Sequence, residues 1–398
     1  MRAVWIAIGI DAAKEVHWVT AVNQDGQILL DRKLDNAGPE IAAFIAELAG
    51  LDGERLIGID MLGGVASLLA AMLIAAGERV VHVPGLAVNR ARQGSVGGQG
   101  KSDPKDARII ADQLRLRAAD FRPITLADDT VAELRLLVSR RGDLVVDQTR
   151  RISRMRYLLA TIHPSLERVL DLTNQGPLIL LTRFVAAAEL RRLTPRRLAR
   201  QLVRAGLRQT QAESLAAAAW QAAASHPEVA LPAEVATAEL IREMATEALE
   251  TKRRIAKLDQ RLEALLSHHP DGALIRSLPG MGVVLAAQFV AEVGEIRRFR
   301  SASALAAAAG IAPVLRQSGK TKRLQRPAYA NTALKRVFYQ SAFCALGDPV
   351  SRAFYERKRR DGKRHHQALI ALARRRVDVL WAMLAQRRSF DPHHRKAP

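Results

Sequence analysis

The run Ala3-Val4-Trp5-Ile6-Ala7-Ile8-Gly9-Ile10 closes on Asp11, and two more short segments rich in Val, Ile and Leu follow at residues 16–22 and 27–34. The last two are divided by Asn23-Gln24-Asp25-Gly26, so the three predict strands of a meander. A helix is expected from about Pro39 to Ala49, then an apolar run at Leu56–Ile59, a helical stretch from about Val65 to Ala76, and a strand at Val80–Val83. From Pro104 to about Leu116 the pattern is helical again. Three strands followed by alternating helix and strand is an α/β order.

From Val131 the apolar period becomes seven. Val131, Val138, Val145, Ile152 and Leu159 hold one heptad position; Leu134, Met155 and Ile162 hold the other, with Arg141 and Gln148 as polar breaks. A second seam runs through Ile241, Met244, Ala248, Ile255, Leu258, Leu262 and Leu265, broken by Thr251. The pair predicts a coiled-coil arm, folded back on itself or shared between chains. Between the seams, residues 170–232 are rich in Ala and Arg and carry no recognisable chemistry. After His268-His269-Pro270 a compact, mostly helical C-terminal unit is expected. The tail beyond it, 349–398, interrupted by a helical stretch from Gln367 to Leu384, holds fourteen Lys plus Arg against four Asp plus Glu and predicts a phosphate-contacting surface. The expected division is 1–125, 126–270, 271–348 and 349–398.

The chain has 398 residues, enough for two or three domains with real cores, and 61 Lys plus Arg against 40 Asp plus Glu give a net charge of +21. A charge this large on a chain with 48% apolar residues points to a polyanionic partner. Arg supplies 49 of the 61 cations, and its planar fork grips phosphate through two hydrogen bonds, which puts nucleic acid ahead of membrane. A G+C-rich genome also enriches Arg, but does not by itself create the net charge. With Cys344 as the single cysteine, an intrachain disulfide and a cysteine zinc site are excluded, and a reducing compartment is expected. No apolar run reaches the roughly 18 residues of a membrane span, and Lys14 and Glu15 stand where a signal peptide would place small residues. A cytoplasmic, nucleoid-associated protein is expected.

Four carboxylates stand out. Asp11 and Asp60 end predicted strands, where side chains can converge at one sheet edge; Asp103 and Asp106 lie three apart at a helix start. Hard cations such as Mg²⁺ need oxygen ligands and can clamp both oxygens of a breaking phosphodiester. Asp103-Pro104 followed by Asp106 equally suits a helix N-terminus, and Asp11 a turn. The loop Gly94–Ser102 approaches a nucleotide-binding P-loop, but Ser95 occupies the place of its first glycine. Gly280 and Gly282, in Leu278-Pro279-Gly280-Met281-Gly282-Val283, suit a helix-hairpin-helix-like contact with phosphate, or a plain tight turn. Ser318 sits in a predicted loop among Arg316, Lys320, Lys322 and Arg323, cations that can neutralise phosphate beside a hydroxyl. The adjacent pairs His268-His269, His365-His366 and His393-His394 read as solvated.

Taken in order, Ile8-Gly9-Ile10-Asp11-Ala12-Ala13-Lys14, Gly58-Ile59-Asp60 with Gly63-Gly64, Lys101-Ser102-Asp103-Pro104-Lys105-Asp106-Ala107, Leu278-Pro279-Gly280-Met281-Gly282 and Ala309-Gly310-Ile311-Ala312-Pro313 through Gln317-Ser318-Gly319 resemble a known family. It is that of insertion-sequence transposases pairing a RuvC-like DEDD domain with a C-terminal serine domain; Piv-type DNA invertases share the plan. The resemblance covers roughly residues 4–165 and 235–346. It implies an RNase H-like first domain whose acids Asp11, Asp60, Asp103 and Asp106 hold Mg²⁺, and a nucleophile at Ser318 that links covalently to DNA. It further implies a structured bridge RNA pairing with donor and target DNA, and a dimer or tetramer in which acids and serine come from different subunits. One departure is Asp60, where the family usually has Glu, followed by Met61-Leu62 instead of threonine-glycine. Two other readings of the chain are a metal-dependent junction nuclease using the acids and water, and a non-enzymatic nucleic-acid-binding protein.

Overall fold

The computed structural model describes residues 5–61, 64–94, 100–124, 129–229, 231–318, 321–325 and 330–392. The chain divides into two compact units, 1–127 and 128–398.

The first unit is a mixed six-stranded sheet. Its strands are β1 (Trp5–Asp11), β2 (Val16–Val22), β3 (Ile28–Asp35), β4 (Glu54–Ile59), β5 (Val80–His82) and β6 (Arg122–Pro123), in the order β3-β2-β1-β4-β5-β6. β1 pairs antiparallel with β2 and parallel with β4, and β5 is parallel to β4. Helices α1 (Gly38–Ala49) and α2 (Ser67–Ala75) cover one face, where Ile6, Ile8, Ile10, Ile57 and Ile59 bury against Phe44, Leu48 and Leu69. The opposite face takes α3 (Gly85–Gln93) and α4 (Asp103–Arg117), with Ala7, Leu56 and Val81 against Val88, Ile110 and Leu114. Because strand side chains alternate with a period of two, Ala7, Gly9 and Asp11 share the α4 face, as do Leu56, Gly58 and Asp60. The glycines pair in register, Gly9 with Gly58. They leave a floor without side chains on which α4 lies directly against backbone.

The second unit is mostly helical. Its long helices are α5 (Asp129–Ile162) and, after α6 (Pro164–Val169), α7 (Gln175–Leu181), α8 (Ala187–Arg191), α9 (Pro195–Arg204) and α10 (Gln209–Ala224), α11 (Glu234–His268). α5 and α11 run antiparallel within one chain, since Arg141 pairs with Asp259 while Arg151, further along α5, pairs with Glu247. The heptad breaks have a purpose. Arg141 makes that ion pair, Gln148 donates to the Ala248 carbonyl at 3.2 Å, and Thr251 accepts from Arg151 at 3.2 Å. Polar groups thus cross-link the middle of the hairpin, while each end feeds a hydrophobic core. At one end Met155, Leu159 and Ile241 join α6–α10; at the other Leu134, Leu137 and Leu262 join the C-terminal helices.

Those helices are α12 (Gly272–Ser277), α13 (Val283–Val293), α14 (Ala302–Ala308), α15 (Thr332–Cys344), α16 (Pro349–Arg360) and α17 (His365–Gln386), with a hairpin of β7 (Val314–Ser318) and β8 (Thr321–Gln325) between α14 and α15. α17 does not stand apart from this unit. Leu369, Leu372, Val377, Leu380 and Leu384 of α17 are buried in the same core as α13 and α15, because an apolar stripe at helical spacing outweighs the segment's charge. Among the described residues no helix is long and apolar enough to cross a membrane.

Candidate active site

Asp11 ends β1, and Asp60 follows β4 one step beyond the register pair Ile10–Ile59, so parallel pairing places them side by side at one sheet edge. The Ala12 N–H donates to Asp60 Oδ1 at 3.3 Å and ties the turn after β1 to the second acid. The Nε2 of His82, on β5, lies 3.2 Å from the Asp60 carbonyl.

The other two acids arrive on α4. A Cβ built on Gly9 would lie 2.1 Å from the Ala107 carbonyl oxygen and 2.4 Å from the Ala111 nitrogen, so only glycine permits this approach. The contact seats the first turn of α4 beside the strand ends. Ser102 takes the extended N-cap position and the helix starts at Asp103, so Asp103 is a first-turn residue and not the cap its sequence context allows. Asp103 is exposed, whereas Asp106 is buried and receives both of its hydrogen bonds from one Arg92 nitrogen, Nη1, each at 2.6 Å. Arg92 also donates to Asn89 Oδ1 at 2.8 Å, which braces it along α3.

The four carboxylates feel one another. Burial pushes the Asp11 carboxyl up to about 7, and the charges of Asp60, Asp106 and Asp103 add to the effect against an opposing Lys101. Burial also raises Asp60, against hydrogen bonds from backbone N–H groups and the nearby His82. At Asp11 the neighbouring carboxylates thus oppose ionisation, with Lys101 acting the other way. Among the described residues no three acidic, His or Cys side chains are gathered closely enough to hold a metal ion, and Asp106 is turned to Arg92. The oxygen donor set nevertheless fits a hard divalent ion.

The remaining expected residues lie in the second unit. Ser318 is the last residue of β7, paired with Thr321, and so ends a strand instead of lying in a loop; its side chain and that of Arg316 lie outside the described residues, as does all of Lys320. Lys322 and Arg323 are exposed on β8, with Arg316 opposite Arg323 in register. Gly282 is exposed at the start of α13. Gly280 has φ +78°, and a Cβ there would meet the Ser341 carbonyl oxygen at 2.6 Å, so the turn packs closely on α15. The P-loop-like residues 95–99 and His393-His394 lie outside the described residues.

Sequence reasoning missed Arg92 and Arg376. Arg376, buried on α17, donates to the Pro279 carbonyl and, at 2.9 Å, to Ser341 Oγ, pinning the Gly280 turn to α15. Burial lowers its guanidinium to about 10.

Comparison with known proteins decides the family. Residues 8–164 match a transposase model of the DEDD type named for IS110, and residues 272–356 match the transposases of the IS116/IS110/IS902 family. An uncharacterized 44.8 kDa protein of insertion element IS116 from Streptomyces clavuligerus is 42% identical, over 97% of this chain and 96% of that one.

The chain belongs to the IS116/IS110/IS902 family of transposases.

The transposase is also 40% identical to an uncharacterized 42 kDa protein of IS900 from Mycobacterium paratuberculosis, over 98% of each chain. Among solved structures it is similar to T. thermophilus RuvC in complex with a Holliday junction substrate, with 14% identity, covering 30% of this chain and 99% of that chain at a TM-score of 0.24. As a family member the transposase acts on DNA, by strand cleavage and transfer.

Proposed function

We propose that the transposase cuts and rejoins DNA through a serine-linked intermediate, using two sets of groups. Asp11, Asp60, Asp103 and Asp106 hold Mg²⁺, and Ser318 supplies the nucleophile. The observation that carries the first part is geometric: Asp11 and Asp60 stand at the ends of neighbouring parallel strands, and the Gly9–Ala107 contact seats the first turn of α4, with Asp103 and Asp106, beside them. The antiparallel meander β1–β3 followed by parallel β4 and β5 supports an RNase H-like, RuvC-like reading of the first unit. The shorter Asp60 is steadied by the Ala12 N–H.

A bound Mg²⁺ supplies Lewis-acid neutralisation of phosphate charge. The chain's own groups do the rest. Attack of Ser318 Oγ on a phosphodiester forms a P–Oγ ester and breaks the bond to one deoxyribose oxygen; the hydroxyl proton passes to a base and the leaving oxygen takes up a proton. A strand-end hydroxyl then displaces the serine and restores it, so the bond is conserved without a nucleotide cofactor. Arg316, Lys320, Lys322 and Arg323 neutralise the phosphates beside the serine, and the exposed Gly282 N-terminus of α13 offers backbone N–H groups to DNA. A structured guide RNA pairs with donor and target, and in a dimer or tetramer one subunit's acids serve another's serine.

The test compares wild type with Ser318→Ala and Asp11→Asn on labelled DNA in Mg²⁺, reading adducts that survive denaturant. The proposal expects an adduct with wild type and none with Ser318→Ala. A Ser318→Ala protein that still cuts DNA at the wild-type rate would make the enzyme a hydrolytic nuclease.

A further inference from the structure

We propose that the exposed face of α9 is a docking surface for the backbone of double-stranded DNA. The surface lies outside both family matches, which leave residues 165–271 uncovered. Between Glu189 and Glu213 the chain has seven arginines and no acid. Arg191 is structural, paired with Glu228 and donating to the Ala223 carbonyl at 2.9 Å. The other six, Arg192, Arg196, Arg197, Arg200, Arg204 and Arg208, are exposed. None of their guanidinium groups makes an ion pair or hydrogen bond among the described residues. By contrast, Arg151, Arg254 and Arg261 on α5 and α11 are each paired with a glutamate.

The helix is built to present this charge. Leu198, Ala199 and Leu202 are its buried residues. At about 100° per residue, Arg196, Arg200, Arg204 and Arg197 fall within one arc of about 100° directly opposite them. Arg196, Arg200 and Arg204 follow one another at four-residue steps, a ridge of cations about 6 Å apart along the axis. Like charges at that spacing oppose helix formation, so the ridge costs stability in the free protein and is relieved by a polyanion. Beside it a groove of about 590 Å³ runs between α9 and the start of α10, lined by Pro195, Arg196, Ala199, Arg200, Gln209 and Glu213. The Glu213 carboxylate there accepts from Gln209, its i−4 neighbour.

The surface fits a duplex better than a single strand. Single-stranded nucleic acids are gripped by aromatic platforms, and residues 190–213 contain no Phe, Tyr or Trp. Rows of Arg contact duplex phosphates without reading bases. DNA is the duplex on which the family acts, so the inference rests on family membership and not on the acid or serine assignments.

The test is anisotropy with the full chain, metal-free, on a labelled DNA duplex of about 40 base pairs and arbitrary sequence, from 50 to 200 mM salt. The variant Arg196→Gln/Arg200→Gln/Arg204→Gln changes exposed residues only. It is expected to bind at least tenfold more weakly at about 150 mM salt, with a log–log salt slope shallower by about 2 to 3. Should it misfold by circular dichroism, the single variant Arg200→Gln, at the centre of the ridge, is expected to flatten the slope by about 1. Unchanged affinity and slope overturn the proposal, as does a loss seen for duplex RNA of the same length but not for DNA. Because binding is read without cleavage, failure here is distinguishable from failure of the catalytic reading.

Discussion

Gly9 on β1 and Ala107 on α4 touch backbone to backbone: a single Cβ added at Gly9 would come within 2.1 Å of the Ala107 carbonyl oxygen. This contact fixes how far α4 reaches across the sheet, and therefore where Asp106 stands relative to Asp11.

Gly9→Ala is expected to destabilise the first unit by about 3 kcal/mol, at the upper end for overpacking, because the obstructing atoms are backbone. Gly58→Ala meets side-chain ends instead, Leu114 Cδ1 at 2.8 Å and Val83 Cγ2 at 2.9 Å, and is expected to cost about 1 kcal/mol. Urea unfolding of both variants checks the order; equal losses would mean that α4 adjusts freely.

Arg92→Met leaves buried Asp106 without its ion-pair partner and is expected to cost roughly 3 kcal/mol. The double variant Arg92→Met/Asp106→Asn is expected to recover part of that loss. Denaturant unfolding across the cycle measures the coupling, and additive losses would contradict it.

Asp11 carries a pH prediction. Its folded carboxyl is raised from 3.8 to about 7, so between these values the folded state binds more protons than the unfolded state, and stability falls as pH rises through that window. In chelator, Asp11→Asn is expected to melt higher than wild type at pH 8, by roughly 2 °C, with the gap closing near pH 4. A variant that melts lower at pH 8 would remove the charge crowding.

Arg376→Met should loosen the turn at Pro279 by removing two hydrogen bonds from a cation, for a loss of about 2 to 3 kcal/mol. Thermal melts of the full chain check this, and an unchanged midpoint would show that the turn holds without α17.

The first unit's sheet was legible because runs rich in Val, Ile and Leu, divided by turn residues such as Asn23-Gln24-Asp25-Gly26, mark its strands and put Asp11 and Asp60 at strand ends. Arg92 was not, since its tie to Asp106 links two different helices, α3 and α4, and nothing in the spacing of either residue signals the other. The hairpin carrying Ser318 was hidden by glycine and cations that also suit a loop, although Gly319-Lys320 between extended segments is a hairpin signal. The helix at 367–384 was legible, and α17 spans His365–Gln386, but its place was obscured by charge: a net-basic segment masked the stripe Leu369, Leu372, Val377, Leu380 that carries it into the core. The close packing of Gly280 on α15 was not legible, because its positive φ and its approach to Ser341 are set by the tertiary fold.

The most direct measurement is a calorimetric titration of the full chain with Mn²⁺ as a Mg²⁺ surrogate at pH 8, comparing wild type with Asp11→Asn, Asp60→Asn and Ser318→Ala. The account predicts at least tenfold weaker binding for the two acid variants and wild-type binding for Ser318→Ala. Indistinguishable binding by wild type and the acid variants would contradict it.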